Sequence, residues 1–303
     1  MLATRKIREV LTSKPTLEGA GVHLNRVFGF NEAPLFDPFL LLDDFRSETP
    51  GHYLKGFPWH PHRGIETITY VLTGDVEHGD SLGNKGIIRS GDVQWMTAGS
   101  GIVHQEMPQG DSKGRMYGFQ LWANLPADSK MMNPRYRDVT SAQIPVVTLA
   151  NNTQIKIVAG EVNGIKGPVG DIVIEPEYLD VTVPPHAEFR HPTKKGHRVF
   201  AYIIGGQGYF GKAEKSTLGK VEGENQDTTA GKPDVGNGTL VLFGEGDEIA
   251  VVTSENEVRF LLIAGKPIAE PVAWRGPIVM NTQEELQVAF EEYKQGTFIK
   301  YNG

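Results

Sequence analysis

The chain has 303 residues, no cysteine, 36 glycines and 19 prolines, and 30 basic against 37 acidic side chains, for a net charge of −7. Without cysteine there are no disulfides, thiolate metal sites, iron–sulfur clusters or cysteine nucleophiles, so any metal must be held by His, Asp or Glu. The acidic balance argues against gripping a phosphate backbone or an anionic membrane, and the Gly and Pro content favours short strands and tight turns over a helical bundle.

Residues 1–30 are broken by charge throughout, which does not suit a signal peptide, and the longest apolar run, Val199–Ile204, is far too short to span a bilayer. The expectation is a cytoplasmic protein, or a nuclear one in a eukaryotic cell, with no membrane and no direct nucleic-acid partner. In chain order, β-type runs predict strands over Ile65–Thr73, Gly86–Arg89, Val93–Met96, Tyr117–Ala123 and Gln154–Val158. Turns at Thr73-Gly74-Asp75, Ser90-Gly91-Asp92 and Gly99-Ser100-Gly101 separate them. A second set follows over Ile172–Ile174, Leu179–Val183, Arg198–Gly205, Gly208–Phe210, Leu240–Phe243, Glu248–Val252 and Val258–Ala264. This density of strands predicts an all-β chain of two antiparallel barrels or sandwiches. A break near 140–165 divides it into a first domain over 1–145 and a second over 146–303.

The halves read as a degenerate repeat, in which ITYVLTGDVEHG before RSGDVQWM is echoed by RVFAYIIGGQGYFG before FGEGDEIAVV. Residues 212–238 are polar and predict a surface insertion. Thr282 and Glu285 form a capping box ahead of Leu286, Ala289, Phe290 and Tyr293, which predicts a C-terminal amphipathic helix over 282–294 packed on the body of the protein.

Of nine histidines, two stand in Trp59-His60-Pro61-His62-Arg63-Gly64. In an extended strand residues i and i+2 share a face, and Pro61 stiffens the spacer, so both imidazoles can converge on one metal. His104 and Glu106 form a second i, i+2 pair after a Gly-rich loop. Together the pairs offer three imidazoles and a carboxylate, a donor set suited to a first-row divalent ion with positions left for substrate and O2. Glu66 shares the parity of His60 and His62 and competes with Glu106 for the carboxylate role; strand parity leaves the choice open. His23, His52 and His78 read as surface residues, and His191 and His197 as solvated or structural. His186 is the second half's nearest counterpart to the His-Pro-His pair. With Glu188 two residues on and no histidine in 244–265, the second half lacks a metal set.

These residues resemble the pirin family of the cupin superfamily. The matching segments are DPFLLLDDF (37–45), HPHRGIETITYVLTG (60–74), GDVQWMTAGSGIVHQEMP (91–108), LWANLP (121–126), FGEGDEI (243–249), LLIAGKPIAEPV (261–272) and GPIVMNTQEEL (276–286). The resemblance covers nearly the whole chain. It implies a bicupin, two antiparallel double-stranded β-helix (jelly-roll) barrels with metal only in the first, and a ligand set of His60, His62, His104 and Glu106. It further implies Fe(II) as the metal, with Mn, Co, Ni, Cu or Zn as other occupants, and leaves Glu66 as a supporting group.

Two functions follow from the resemblance. One is a quercetin 2,3-dioxygenase activity, in which O2 opens a flavonol ring and CO is released; Glu106 is then the catalytic base and Phe57, Trp59 and Trp95 are candidates for the pocket wall. The alternative is a non-enzymatic regulator whose iron redox state controls binding to a protein partner, a transcription factor or a metabolic enzyme.

Overall fold

The computed structural model describes residues 2–211 and 234–301, so most of the insertion expected over 212–238 lies outside the described residues. What they form is almost entirely antiparallel sheet. Among them are two α-helices, the short Ala33–Phe36 and the C-terminal Gln283–Gln295. The latter is capped as its sequence requires: Glu285 donates its backbone N–H to Thr282 Oγ1, the Glu285 carboxylate returns to the Thr282 N–H, and Gly296 closes the helix at φ 73°.

The internal repeat is a repeat of strand order. In the first half a seven-stranded sheet runs Arg135–Val139, Val93–Thr97, Ile65–Thr73, Tyr117–Asn124, Phe39–Asp44, Val22–Phe28, Lys14–Glu18. The second half repeats this order as Ile7–Thr12, Thr239–Phe243, Arg198–Phe210, Val258–Gly265, Glu177–Val183, Gln154–Ala159, Val146–Thr148. A smaller sheet in the first half, Phe57–His62, Ile102–Pro108, Val76–Asp80, Lys85–Ile88, is matched by Glu188–Pro192, Glu248–Val252, the far end of Arg198–Phe210, and Asp234–Gly236. Each half therefore receives its edge strand from the segment that precedes the other: Ile7–Thr12 pairs with Thr239–Phe243, and Arg135–Val139 pairs with Val93–Thr97. The exchange covers sheet edges that would otherwise offer unpaired N–H and C=O groups.

The two large sheets face each other across a shared apolar core in which Phe28 and Phe36 meet Phe200 edge-on, at 5.6 and 5.5 Å. The polar groups buried here are reciprocal. Tyr70 donates to Asp180 and Tyr202 donates to Asp44, each at 2.7 Å, while Arg259 and Arg46 neutralise the respective carboxylates. Tyr70 and Tyr202 occupy matching positions, since Tyr70 pairs through Phe119 to Asp44 and Tyr202 pairs through Leu261 to Asp180.

Three sequence expectations change. Ile172–Ile174 is no strand: Ile172 and Ile174 sit in a turn yet are buried in the shared core, so an apolar alternation that suggested a strand serves packing alone. The predicted strands 198–205 and 208–210 are one thirteen-residue strand that bends from the large sheet into the small one. The two Gly-Asp turns also do not correspond. Alignment on Tyr70↔Val93 and Tyr202↔Leu240 sets Ser90-Gly91-Asp92 against Asn237-Gly238-Thr239, and Gly246-Asp247 falls level with the Gly99–Gly101 loop.

Inside the second half, Phe189, Phe210, Phe260, Ile249 and Val251 pack into one continuous core. Inside the first, the apolar residues divide into smaller clusters and leave a cavity of about 590 Å³. This difference in filling positions the site.

Candidate metal centre

His60 and His62 end the strand Phe57–His62, and His104 lies directly opposite His60 on Ile102–Pro108. Alternation along Ile102–Pro108 buries Ile102, His104, Glu106 and Pro108 and leaves the residues between them partly exposed. Both pairs anticipated from spacing thus point inward. The imidazoles converge: His60 Nε2 lies 3.0 Å from His62 Nε2 and 3.0 Å from His104 Nε2. Among the described residues these three are the one group of three or more His, Asp or Glu donors gathered closely enough to hold a metal ion.

Hydrogen bonding tests whether a cation fits. His60 Nδ1 lies 3.0 Å from the Pro58 carbonyl and His62 Nδ1 lies 3.1 Å from the Pro277 carbonyl. A carbonyl only accepts, so both Nδ1 atoms carry the hydrogen and both neutral rings present a bare lone pair at Nε2. Two lone pairs facing each other at 3.0 Å cannot form a hydrogen bond; a cation between them resolves the contact. The spacing matches two ligands at right angles about an ion with bonds of about 2.1 Å. Tyr136 Oη lies 3.4 Å from His104 Nδ1 and orients the third ring. Burial lowers the pKa of all three; His62 and His104 fall well below the ordinary value, with neighbouring imidazoles as the second cause. Burial therefore holds them in the neutral form a metal needs.

Glu106 lies outside the tight histidine cluster but lines the same cavity as His60 and His62. Burial pushes its carboxyl up to about 7, opposed by the hydrogen bond between Oε1 and the Thr69 hydroxyl at 2.9 Å. Glu66 is committed elsewhere: its oxygens accept from Trp95 Nε1 at 3.1 Å and Thr97 Oγ1 at 2.6 Å.

Several supporting residues had no local signal. Pro277 stands 215 positions from His62, in the turn between Ala273–Arg275 and Ile278–Met280. Buried Arg63 reaches the Ser100 carbonyl, Glu292 and the Phe298 carbonyl, and so fastens the C-terminal helix and tail beside the metal strand. Buried Lys130 donates to Gly64 O, Asn124 Oδ1 and Val279 O. The cavity wall also departs from expectation. Phe57 lines it, but Trp95 is fully buried and Trp59 is 52% exposed; the tryptophans that do line it are Trp122 and Trp274. Aromatic type was readable from sequence, and the direction of each ring was not.

The remaining histidines divide. His23 and His52 stack at the surface at 4.2 Å. His78, expected at the surface, is buried on Val76–Asp80 against the Tyr136 ring, because its strand pairs on both sides and it faces inward. His186 occupies an exposed turn and is not the counterpart of the His-Pro-His pair. Register identifies the true counterparts: His60 opposite His104 becomes Phe189 opposite Val251, and His62 opposite Ile102 becomes His191 opposite Ile249. His191 is buried and bonded to Glu177 at 2.8 Å. The second half has one imidazole at these positions, with apolar Phe189 and Val251 at those of the other two and Thr253 level with Glu106.

Family models match both halves, Pirin over residues 21–123 and the Pirin C-terminal cupin domain over 178–299. A pirin-like protein of Caulobacter vibrioides is 40% identical, the match covering 98% of this chain and 100% of that one. A pirin-like protein of Solanum lycopersicum is 42% identical over 92% of this chain and 88% of its own. Among solved structures, the quercetin 2,3-dioxygenase of Acinetobacter baumannii superposes with a TM-score of 0.81 at 28% identity, covering 98% of this chain and 99% of that one.

Proposed function

The chain belongs to the pirin family, with its two-domain cupin fold, and on that premise we propose that it is a metal-dependent quercetin 2,3-dioxygenase. In this reading O2 opens the ring of a flavonol and CO is released. The observation that carries it is the convergence of three imidazoles, two of them on the wall of a cavity large enough for such a substrate. We assign His60, His62, His104 and Glu106 as ligands of Fe(II), within a metal-holding domain over 1–145 and a metal-free one over 146–303. When bound, the ion supplies Lewis-acid stabilisation of a deprotonated substrate oxygen and a redox partner for O2.

The protein's own groups do the rest. Pro58 O, Pro277 O and Tyr136 Oη hold the rings in the orientation that presents Nε2 to the cavity. The Thr69 hydroxyl bonds Oε1 of Glu106, which leaves Oε2 as the carboxylate oxygen that would accept the flavonol 3-hydroxyl proton. Leu24, Leu41 and Phe57 line the cavity and give that transfer an apolar surround.

The test is elemental analysis of the purified protein paired with an aerobic quercetin assay that detects CO. Near-stoichiometric iron, its loss in His60→Ala, and loss of turnover in Glu106→Gln at equal metal loading are the expected results. Unchanged turnover in Glu106→Gln, or no metal under any loading condition, would sink the reading.

A further inference from the structure

We infer that the cavity contains a second subsite, distinct from the metal, that recognises the substrate ring remote from the reacting one: Trp274 and Phe30 stack on that ring, Asp43 accepts hydrogen bonds from its hydroxyls, and the Gln120 amide exchanges hydrogen bonds with them. The inference rests on the reading above that the substrate is aromatic, and adds which residues select among aromatic substrates.

The first observation is a continuous path of rings. Trp122 meets His62 edge-on with centroids 5.0 Å apart, Trp274 lies 6.0 Å from Trp122, and Phe30 lies 5.4 Å from Trp274. All three line the cavity. The path leads from a candidate metal ligand to solvent, where Phe30 is 65% exposed. Trp274 donates its indole N–H to Gly276 O at 2.7 Å, which fixes the ring and leaves its face for a ligand. An aromatic stack offers about 0.5–1.5 kcal/mol beyond area burial, so a flat ligand gains along the whole path.

The second observation is a polar row across the sheet that floors the cavity. Arg26 pairs with Asp43, Asp43 with Gln120, and Gln120 with Thr69, which bonds to Glu106. Arg26 does not make the row cationic. Its Nε and Nη2 are bound by Asp43 at 2.9 and 2.8 Å, and its Nη1 by Glu18 at 2.9 Å. One guanidinium held by two carboxylates leaves the row without net positive charge, and Gln120, whose Oε1 lies 2.6 Å from the Thr69 hydroxyl, adds an amide that both donates and accepts. A substrate carboxylate meets repulsion there, and a neutral phenolic hydroxyl meets lone pairs. The ring path and the polar row, which holds no net positive charge, together select a flat, neutral, multiply hydroxylated ring system. Trp274 comes from the hairpin of Ala273–Arg275 and Ile278–Met280, so the part of the chain that holds no metal donors supplies one of the four residues of this subsite.

The experiment is equilibrium dialysis of metal-loaded protein with quercetin and with 3-hydroxyflavone, which keeps the metal-facing hydroxyl and carbonyl but lacks the other hydroxyls. We expect tighter binding of quercetin, by about tenfold for one to two hydrogen bonds. Trp274→Ala should weaken quercetin binding about three- to tenfold, Trp274→Phe should stay within about twofold of the parent, and Gln120→Leu should narrow the preference over 3-hydroxyflavone. Phe30→Ala, at an exposed position, should weaken binding several-fold and guards against a misfolded Trp274→Ala. Equal affinity for the two flavonols, or parental affinity in both alanine variants, overturns the subsite. Quercetin bound with these dependences but never cleaved leaves the subsite standing and removes the dioxygenase reading; cleavage with kinetics untouched by both alanine variants does the reverse.

Discussion

Gly64→Ala is the most searching single change in the motif around the candidate metal centre. Gly64 has φ +77°, and a Cβ added there would lie 1.9 Å from Val279 O and 3.3 Å from Lys130 Nζ. A left-handed φ costs alanine about 1–2 kcal/mol. The clash costs more, because a carbonyl oxygen must withdraw by more than about 1 Å to reach normal contact. That withdrawal breaks the Val279 N–H bond to Arg63 O and the Lys130 bond to Val279 O, both 3.1 Å, at about 1–2 kcal/mol each. The expected loss is about 3–5 kcal/mol, read as a shift of the urea midpoint. The moving hairpin carries Pro277, whose carbonyl orients His62, so metal affinity measured by chelator competition should fall about 10- to 100-fold. Gly83→Ala is the control: φ is +89° but nothing lies within 4 Å of the added Cβ, so alanine meets only the cost of the left-handed backbone. If Gly64→Ala behaves like Gly83→Ala in both assays, the argument that the hairpin is seated on this glycine is refuted.

Two further predictions concern stability. Tyr70→Phe and Tyr202→Phe each remove one of the reciprocal hydrogen bonds to Asp180 and Asp44 while leaving the arginine partner in place, and each should cost about 1–2 kcal/mol in chemical denaturation; losses below about 0.3 kcal/mol in both would show that these bonds do not hold the halves together. Asp111 is held down to about 2 by hydrogen bonds from Arg115, below its ordinary 3.8. The folded state therefore binds its proton less readily than the unfolded state, and the stability this adds is complete above the unfolded pKa and lost as pH falls towards 2. The gap between the parent and Asp111→Asn should accordingly shrink between about pH 4 and 2, and a gap that widens on acidification would contradict the assignment.

Much of the candidate site was legible because it obeys local rules. His60, His62, His104 and Glu106 lie in two strands where an i, i+2 spacing guarantees a shared face, and burial alternates along Ile102–Pro108 as that rule demands. The C-terminal helix was legible for the same reason, since its capping box and its apolar spacing are contained in a dozen residues. Glu66 shows where parity ends. It shares the parity of the histidines, but Arg63 and Gly64 intervene, and its oxygens are engaged by Trp95 and Thr97. His78 misled because its neighbours are polar and glycine-rich, and its burial comes from strands on either side and from Tyr136, none of them nearby in sequence.

By itself the sequence determined the class of the fold, its division into two related halves, the exclusion of thiolate chemistry and the four side chains with metal-donor spacing. These are properties of composition and of periods of two to four residues, which backbone geometry enforces locally. Tertiary structure decided how each interior is filled, since Phe189 and Val251 join the second half's apolar core where their counterparts His60 and His104 converge beside a cavity in the first. It decided that Pro277 orients His62 and that Trp274 walls the cavity, from more than 200 residues away. It also decided that each half borrows an edge strand from the segment before the other. Contacts of this kind depend on how sheets pack and register across the whole chain, and no short-range pattern encodes them.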